Sequence, residues 1–412
     1  MRQLLYFVVS AALMFTGCEP GAAGPELGAT YYLVARPEVW QVLPLGQAEK
    51  LGIRQGDMLL LYDGEPVASN DEVRRAQGAA LGGDGQVPLV LLRDEEELEV
   101  MVDRGPLGVL PVAAKYPSSL ALALEDILRH HGRFADYDWL VALTGEAFTF
   151  TAEASECRAW WPGGRSDAYL DRLAKVAGVG LRSVYGTGEQ GEAAEAVRAE
   201  LAKGRAVLVQ GGWPEHRGDF WGVASRFDPG EPKVYGYSLD SGEEMLLSGS
   251  VIAAFVVEET GQSWMEPARM LATVLTQALE LSQAHADSGW KSGIDAWDLL
   301  IKSLYQGPFC PVCGEAESQV CFDRLVWVTI AHRESAVRFL EAMSQAVPSR
   351  ANLLSDAIAD NRAILGKLEG IVRSGVQVGD LESRRKLALV FSEIELIEND
   401  LVGNYEQILS GQ

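Results

Sequence analysis

At 412 residues the chain is too long for a single core and fits two or three domains. A hydrophobic fraction of 48% argues for folded structure over disorder. The formal net charge of −23 excludes a nucleic-acid partner, because phosphate binding needs a basic stripe and the sequence contains none.

The chain opens with one positive charge, Arg2, followed by the apolar run Leu4 to Phe15. That run is too short for a transmembrane helix and suits a signal-peptide core. It ends in Phe15-Thr16-Gly17-Cys18, which resembles the lipobox of bacterial lipoproteins, with Phe15 bulkier than the family pattern. The resemblance implies cleavage after residue 17 and lipidation of the Cys18 thiol. Each acyl CH2 buried in the bilayer adds about 0.8 kcal/mol, so several chains on Cys18 hold the membrane firmly. Residues 18–26, rich in Gly, Ala and Pro, then read as a tether. Past residue 20 no apolar run is long enough to cross a bilayer.

Residues 27–106 alternate strand and turn signals. Tyr31 to Val34 and Trp40 to Leu43 are β-rich. A short helix ends at Gly52, a turn falls at Gly56, and Met58 to Tyr62 is a buried strand. Asp63-Gly64 suits a tight hairpin turn with positive φ. Asn70 caps a helix running to Ala80, and Val87 to Arg93 with Leu98 to Val102 form a closing hairpin.

The words Gln47-Ala48-Glu49-Lys50-Leu51-Gly52-Ile53-Arg54-Gln55-Gly56-Asp57 and Asp63-Gly64-Glu65-Pro66-Val67 resemble bacterial PDZ domains. The resemblance implies that an extended peptide adds as a strand beside the long helix, with backbone hydrogen bonds giving affinity and pockets giving selectivity. A terminal carboxylate is then expected on the amides of the loop Leu27-Gly28-Ala29-Thr30. Tyr31 and Leu33 on the strand, with Val73 and Gln77 on the helix, are expected to border the groove; the alternative is that they fill the core. Peptide affinities are expected on the order of micromolar, about −8 kcal/mol.

Residues 112–258 read as a helical half followed by a strand-rich half, an α+β arrangement. The helices are Leu120 to His131, Asp136 to Leu143, 167–177 and 190–203. The strands are Ala206 to Gln210, Phe220 to Ala224, Lys233 to Tyr237 and Val251 to Val257. The order resembles papain-like folds, especially the amino-terminal domain of butirosin-biosynthesis H-type proteins and the bacteriocin-leader peptidases. In those a nucleophilic cysteine opens the first helix, where the dipole lowers its pKa. Here the matching place holds Ser119, the place of the partner histidine holds Phe220, and only the orienting acid has a counterpart, Asp240. Thiolate chemistry needs nucleophile and base within hydrogen-bond reach, so the expectation is a non-catalytic relative. The alternative is an acyltransferase or peptidase using Ser119 or Cys157 with His216 and Asp240. Trp160, Trp161, Trp213 and Trp221 either line a cleft or supply core area.

Residues 262–412 read as helices: Ser263 to Ala286, Gly293 to Tyr305, Glu334 to Ala346, Ser349 to Val372 and Asp380 to Leu409. Ser292-Gly293-Ile294-Asp295-Ala296-Trp297 loosely resembles the helical tail of the butirosin H-type proteins, and the bundle is expected to brace the middle segment or present a groove. Cys310-Pro311-Val312-Cys313 and Cys321 fall in a predicted loop. In an exported chain they favour a structural disulfide; the alternatives are a redox pair, or a zinc site completed by His332. The whole is thus expected to be a multidomain α+β protein of the bacterial cell envelope. It is lipid-anchored, faces the periplasm or exterior, binds peptides or protein C-termini, and uses no cofactor or metal.

Overall fold

The computed structural model describes residues 37–42, 47–67, 72, 73, 76, 85–104, 107–111, 117–130, 136–153, 170–186, 191–213, 221–230, 233–238, 244–258, 265–282, 290–306, 309–310 and 314–411. The fold is mixed α+β with antiparallel sheets and a helical carboxy-terminal region.

The first part holds β1 (Val39–Val42), the one-turn helix α1 (Gln47–Lys50), β2 (Met58–Tyr62), β3 (Glu65–Pro66), β4 (Gln86–Arg93), β5 (Glu96–Asp103) and β6 (Val109–Pro111). The order β3-β2-β4-β5 makes one antiparallel sheet, and β1 pairs with β6. Period-two alternation along β4 buries Val87, Leu89 and Leu91 while their neighbours stay partly exposed. With Val39, Ala48, Ile53, Leu59, Tyr62, Val102 and Leu107 they form a core of their own. Asp63 (φ 52) and Gly64 (φ 82) close β2 onto β3 in the left-handed region, as an Asp-Gly pair does readily.

The second part contains α2 (Ser119–His130), α3 (Tyr137–Leu143), a 3-10 turn at Glu146–Phe148, β7 (Thr151–Glu153), α4 (Leu170–Ala177), β8 (Gly180–Tyr185), α5 (Glu192–Leu201), β9 (Val207–Gly211), β10 (Trp221–Asp228), β11 (Lys233–Ser238), β12 (Met245–Leu246) and β13 (Val251–Glu258). The six-stranded antiparallel sheet runs β12-β11-β10-β9-β13-β8. Val207, Leu208 and Val209 are consecutive and all fully buried, so β9 is covered on both faces. Helices α2 and α5 both pack on β9 and β10.

The third part holds α6 (Pro267–Ser282), β14 (Trp290–Ser292), α7 (Ile294–Tyr305), α8 (Gly314–Ala346), α9 (Ala351–Ser374) and α10 (Leu381–Ser410). β14 pairs with β7, so this part closes a two-stranded sheet with the middle of the chain. A single buried apolar cluster extends from Leu120 to Ile408, through both the sheet and the helices. Helix α3 is tied to α8 by Asp138, which accepts from Arg338 at 2.8 Å and from the Ser335 hydroxyl at 2.7 Å. No described helix is long and apolar enough to cross a membrane.

Helix α8 differs most from the sequence expectation. Its 33 residues begin at Gly314, so Cys321 lies on a helix and not in a loop. From Leu325 to Arg333 every residue is buried, which removes the polar face that marks an amphipathic helix.

Candidate functional site

The expected peptide site divides between residues outside and inside the described part. Cys18, Leu27, Gly28, Ala29, Thr30, Tyr31, Leu33 and Gln77 lie outside it. Val73 lies inside, 7% exposed, packed in the core of the first part. The Gly56-Asp57 word has a clear structural role. Asp57 is 1% exposed, and its carboxylate accepts from the Arg54 amide at 2.7 Å. Arg93 at the end of β4 grips the same carboxylate with two donors, Nε at 2.7 Å and a terminal nitrogen at 2.6 Å. That terminal nitrogen also donates to the Gly52 carbonyl at 2.8 Å. A two-pronged guanidinium–carboxylate contact is strong and directional, and Asp57 in turn raises the Arg93 pKa. Gly52 (φ 70) and Gly56 (φ 88) supply the left-handed backbone that carries the chain around this anchor. Asp57 thus fastens the turn between α1 and β2 to the hairpin.

The second candidate centre is the start of α2. The Ser118 hydroxyl accepts from the Ala121 amide at 3.1 Å, which satisfies one of the orphan donors at the helix start. The Ser118 amide donates to the Tyr137 hydroxyl at 3.0 Å. Ser119, the first helical residue, is 1% exposed, and its Oγ accepts from the Trp221 amide at 3.2 Å. The chain therefore brings Ser119 against the residue that follows Phe220, although 102 positions separate Ser119 and Trp221.

Its partner Trp221 and nearby Trp213 belong to packed apolar structure. Trp221 is 2% exposed and tilts against Phe255 with ring centroids 5.1 Å apart. The Trp213 indole, also 2% exposed, lies against Gly222 and Gly236, where an added Cβ would approach the ring to 2.4 and 2.9 Å. Both tryptophans are core residues here. Cys157, His216, Asp240, Trp160 and Trp161 fall outside the described residues. A serine needs an adjacent base to become a nucleophile. Among the described residues the Ser119 hydroxyl has a backbone amide as its neighbour and no titratable hydrogen-bond partner.

A third polar centre, absent from the sequence expectations, lies inside the helical part. Arg333 of α8 donates to both oxygens of Glu398 of α10 at 2.7 Å, and to the Asn361 carbonyl oxygen of α9 at 3.2 Å. The Asn361 amide nitrogen donates to the Tyr405 hydroxyl at 3.2 Å and to the Ala357 carbonyl at 2.8 Å. Arg333, Glu398, Asn361 and Tyr405 are all at most 2% exposed. Burial raises the Tyr405 pKa, so its hydroxyl is a neutral member of the network. The network ties three helices together and faces the core, which suits fastening and not catalysis. Its members, Arg333, Asn361, Glu398 and Tyr405, stand at i, i+28, i+65 and i+72, which leaves no local pattern from which it could be found.

His332 neighbours this network. Both its ring nitrogens lack a hydrogen-bond partner among the described residues, and burial pushes its pKa down to about 3. Cys321 sits on the same helix eleven residues earlier, a separation of about 16 Å at 1.5 Å per residue. Zinc ligands all lie about 2.0–2.3 Å from the metal, so His332 cannot complete a site with Cys321, and that alternative is corrected. Cys310 and Cys321 are both buried, and the Cys310 amide donates to the Ser318 hydroxyl at 3.3 Å. Cys313 lies outside the described residues. Among the described residues no three His, Cys, Asp or Glu side chains converge on a possible metal position.

No protein-family model matches this chain, and no curated protein is similar to it.

Proposed function

We propose that the chain is a lipid-anchored, extracytoplasmic binding protein. In this reading the PDZ-like segment 27–106 captures extended peptides or protein C-termini, the middle segment is a non-catalytic papain-like scaffold or ligand-binding module, and Cys18 carries the anchor. Binding is preferred over catalysis chiefly because of the Ser119 hydroxyl, which is 1% exposed and engaged by the Trp221 amide. Peptide capture is supported by the PDZ-like wording from Gln47 to Asp57 and by a separate core beneath it. The Arg93–Asp57 contact holds the adjoining turn in place.

The test is a pull-down from cell-envelope extract with the ectodomain, with and without residues 27–106. Partners should be retained by the intact protein and lost with the segment. Partners retained equally by both would contradict the proposal. The catalytic alternative has its own readout: a covalent serine- or cysteine-directed probe that labels the protein, with labelling abolished by His216→Ala, would replace this function with an acyl-transfer or peptidase activity.

A further inference from the structure

Two leucines stand out from the helical part. Leu389 and Leu396 are 64% and 66% exposed on α10. Seven residues make about two turns, so both lie on one stripe of the helix. One turn before Leu389 that stripe carries Arg385 and Lys386, and one turn after Leu396 it carries Asp400, all three exposed. Lys386 bridges Glu382 at 2.9 Å, whereas Arg385 and Asp400 have no ion pair among the described residues. Glu393, between the leucines, is paired with Lys367 of α9. The stripe is therefore cationic at one end and acidic at the other, with the two leucines and the paired Glu393 between.

We propose that this stripe is the contact between two copies of the chain, with α10 crossing α10 antiparallel about a twofold axis level with residues 392 and 393. In that arrangement Leu389 meets the partner's Leu396, and Arg385 and Lys386 come level with the partner's Asp400. Twofold symmetry repeats both contacts, so one self-complementary patch serves both copies. A parallel crossing instead sets Arg385 level with the partner's Arg385 and Asp400 level with the partner's Asp400, which like-charge repulsion disfavours. The polarity of the stripe thus selects the antiparallel pairing. Dimerisation by this face is independent of what the PDZ-like segment binds.

Sedimentation velocity of the purified full chain over a wide concentration range tests this. A monomer–dimer equilibrium is expected, and Leu389→Glu with Leu396→Glu should raise the dissociation constant by more than about tenfold. Both leucines are exposed, so far-UV circular dichroism should not change. Arg385→Asp and Asp400→Arg should each weaken the dimer, because each variant alone sets like charges together. An equimolar mixture of the two should recover it, since the mixed pair restores opposite charges at both ends. A chain that stays monomeric at the highest concentration would overturn the proposal. So would a dimer indifferent to the leucines, or a mixture that fails to recover.

Discussion

Replacing Arg333 with Met leaves Glu398 as a carboxylate at 2% exposure with its two 2.7 Å contacts gone. Removing one partner of a buried pair costs about 3–5 kcal/mol. Arg333→Met with Glu398→Leu removes both charges and should regain most of that loss, because a buried pair exchanged for apolar groups is close to neutral. Urea unfolding followed by tryptophan fluorescence reads the shared core directly, since Trp297 and Trp327 belong to it. A single-variant loss below about 1 kcal/mol, or a double variant no better than the single one, would refute the account of this network.

His332 has a folded pKa of about 3 against an ordinary 6.5, so its contribution to stability is complete above pH 6.5 and is lost as pH falls toward 3. The loss should reach about 2 kcal/mol near pH 5, and His332→Leu should flatten that part of the pH profile in urea titrations. Asp323 acts in the opposite direction: burial raises its pKa to about 6, so its destabilising effect is relieved as pH drops below that value. Asp323→Asn is therefore needed to expose the histidine effect cleanly. An added Cβ at Gly236 would sit 2.1 Å from the Val223 carbonyl oxygen, whereas at Gly366, inside α9, it meets nothing within 4 Å. Gly236→Ala should cost about 3 kcal/mol or more by forcing strands apart, and Gly366→Ala should add about 0.5–1 kcal/mol through helix propensity, both measured by thermal unfolding.

Elements with clean local signals could be located from the sequence. Asp136 caps α3 by accepting from the Trp139 amide, and Asp380 caps α10 by accepting from the Ser383 amide. Strands β9, β11 and β13 lie within a residue of their expected positions, because short apolar runs between turns leave little choice. The stretch of α8 from Leu325 to Arg333 was not legible, because a helix segment buried on every side shows no 3.6-residue polarity, and Val326, Val328, Thr329 and Ile330 are β-branched. Nor was the pairing of β7 with β14, two three-residue strands more than a hundred positions apart. At the candidate sites, the juxtaposition of Ser119 with the start of β10 was implied by family resemblance and not by periodicity. The Arg333–Glu398–Asn361–Tyr405 network joins residues from three helices that no local pattern links.

The central claim is peptide capture, and it is tested most directly by fluorescence anisotropy. The full chain is titrated against a pool of labelled peptides with free C-termini and against the same pool amidated. The account predicts saturable binding on the order of micromolar for free carboxylates. It also predicts affinity at least about tenfold weaker for the amides, and loss of binding in Leu33→Lys. Anisotropy that stays flat for every peptide, or that is unchanged by Leu33→Lys, would contradict it.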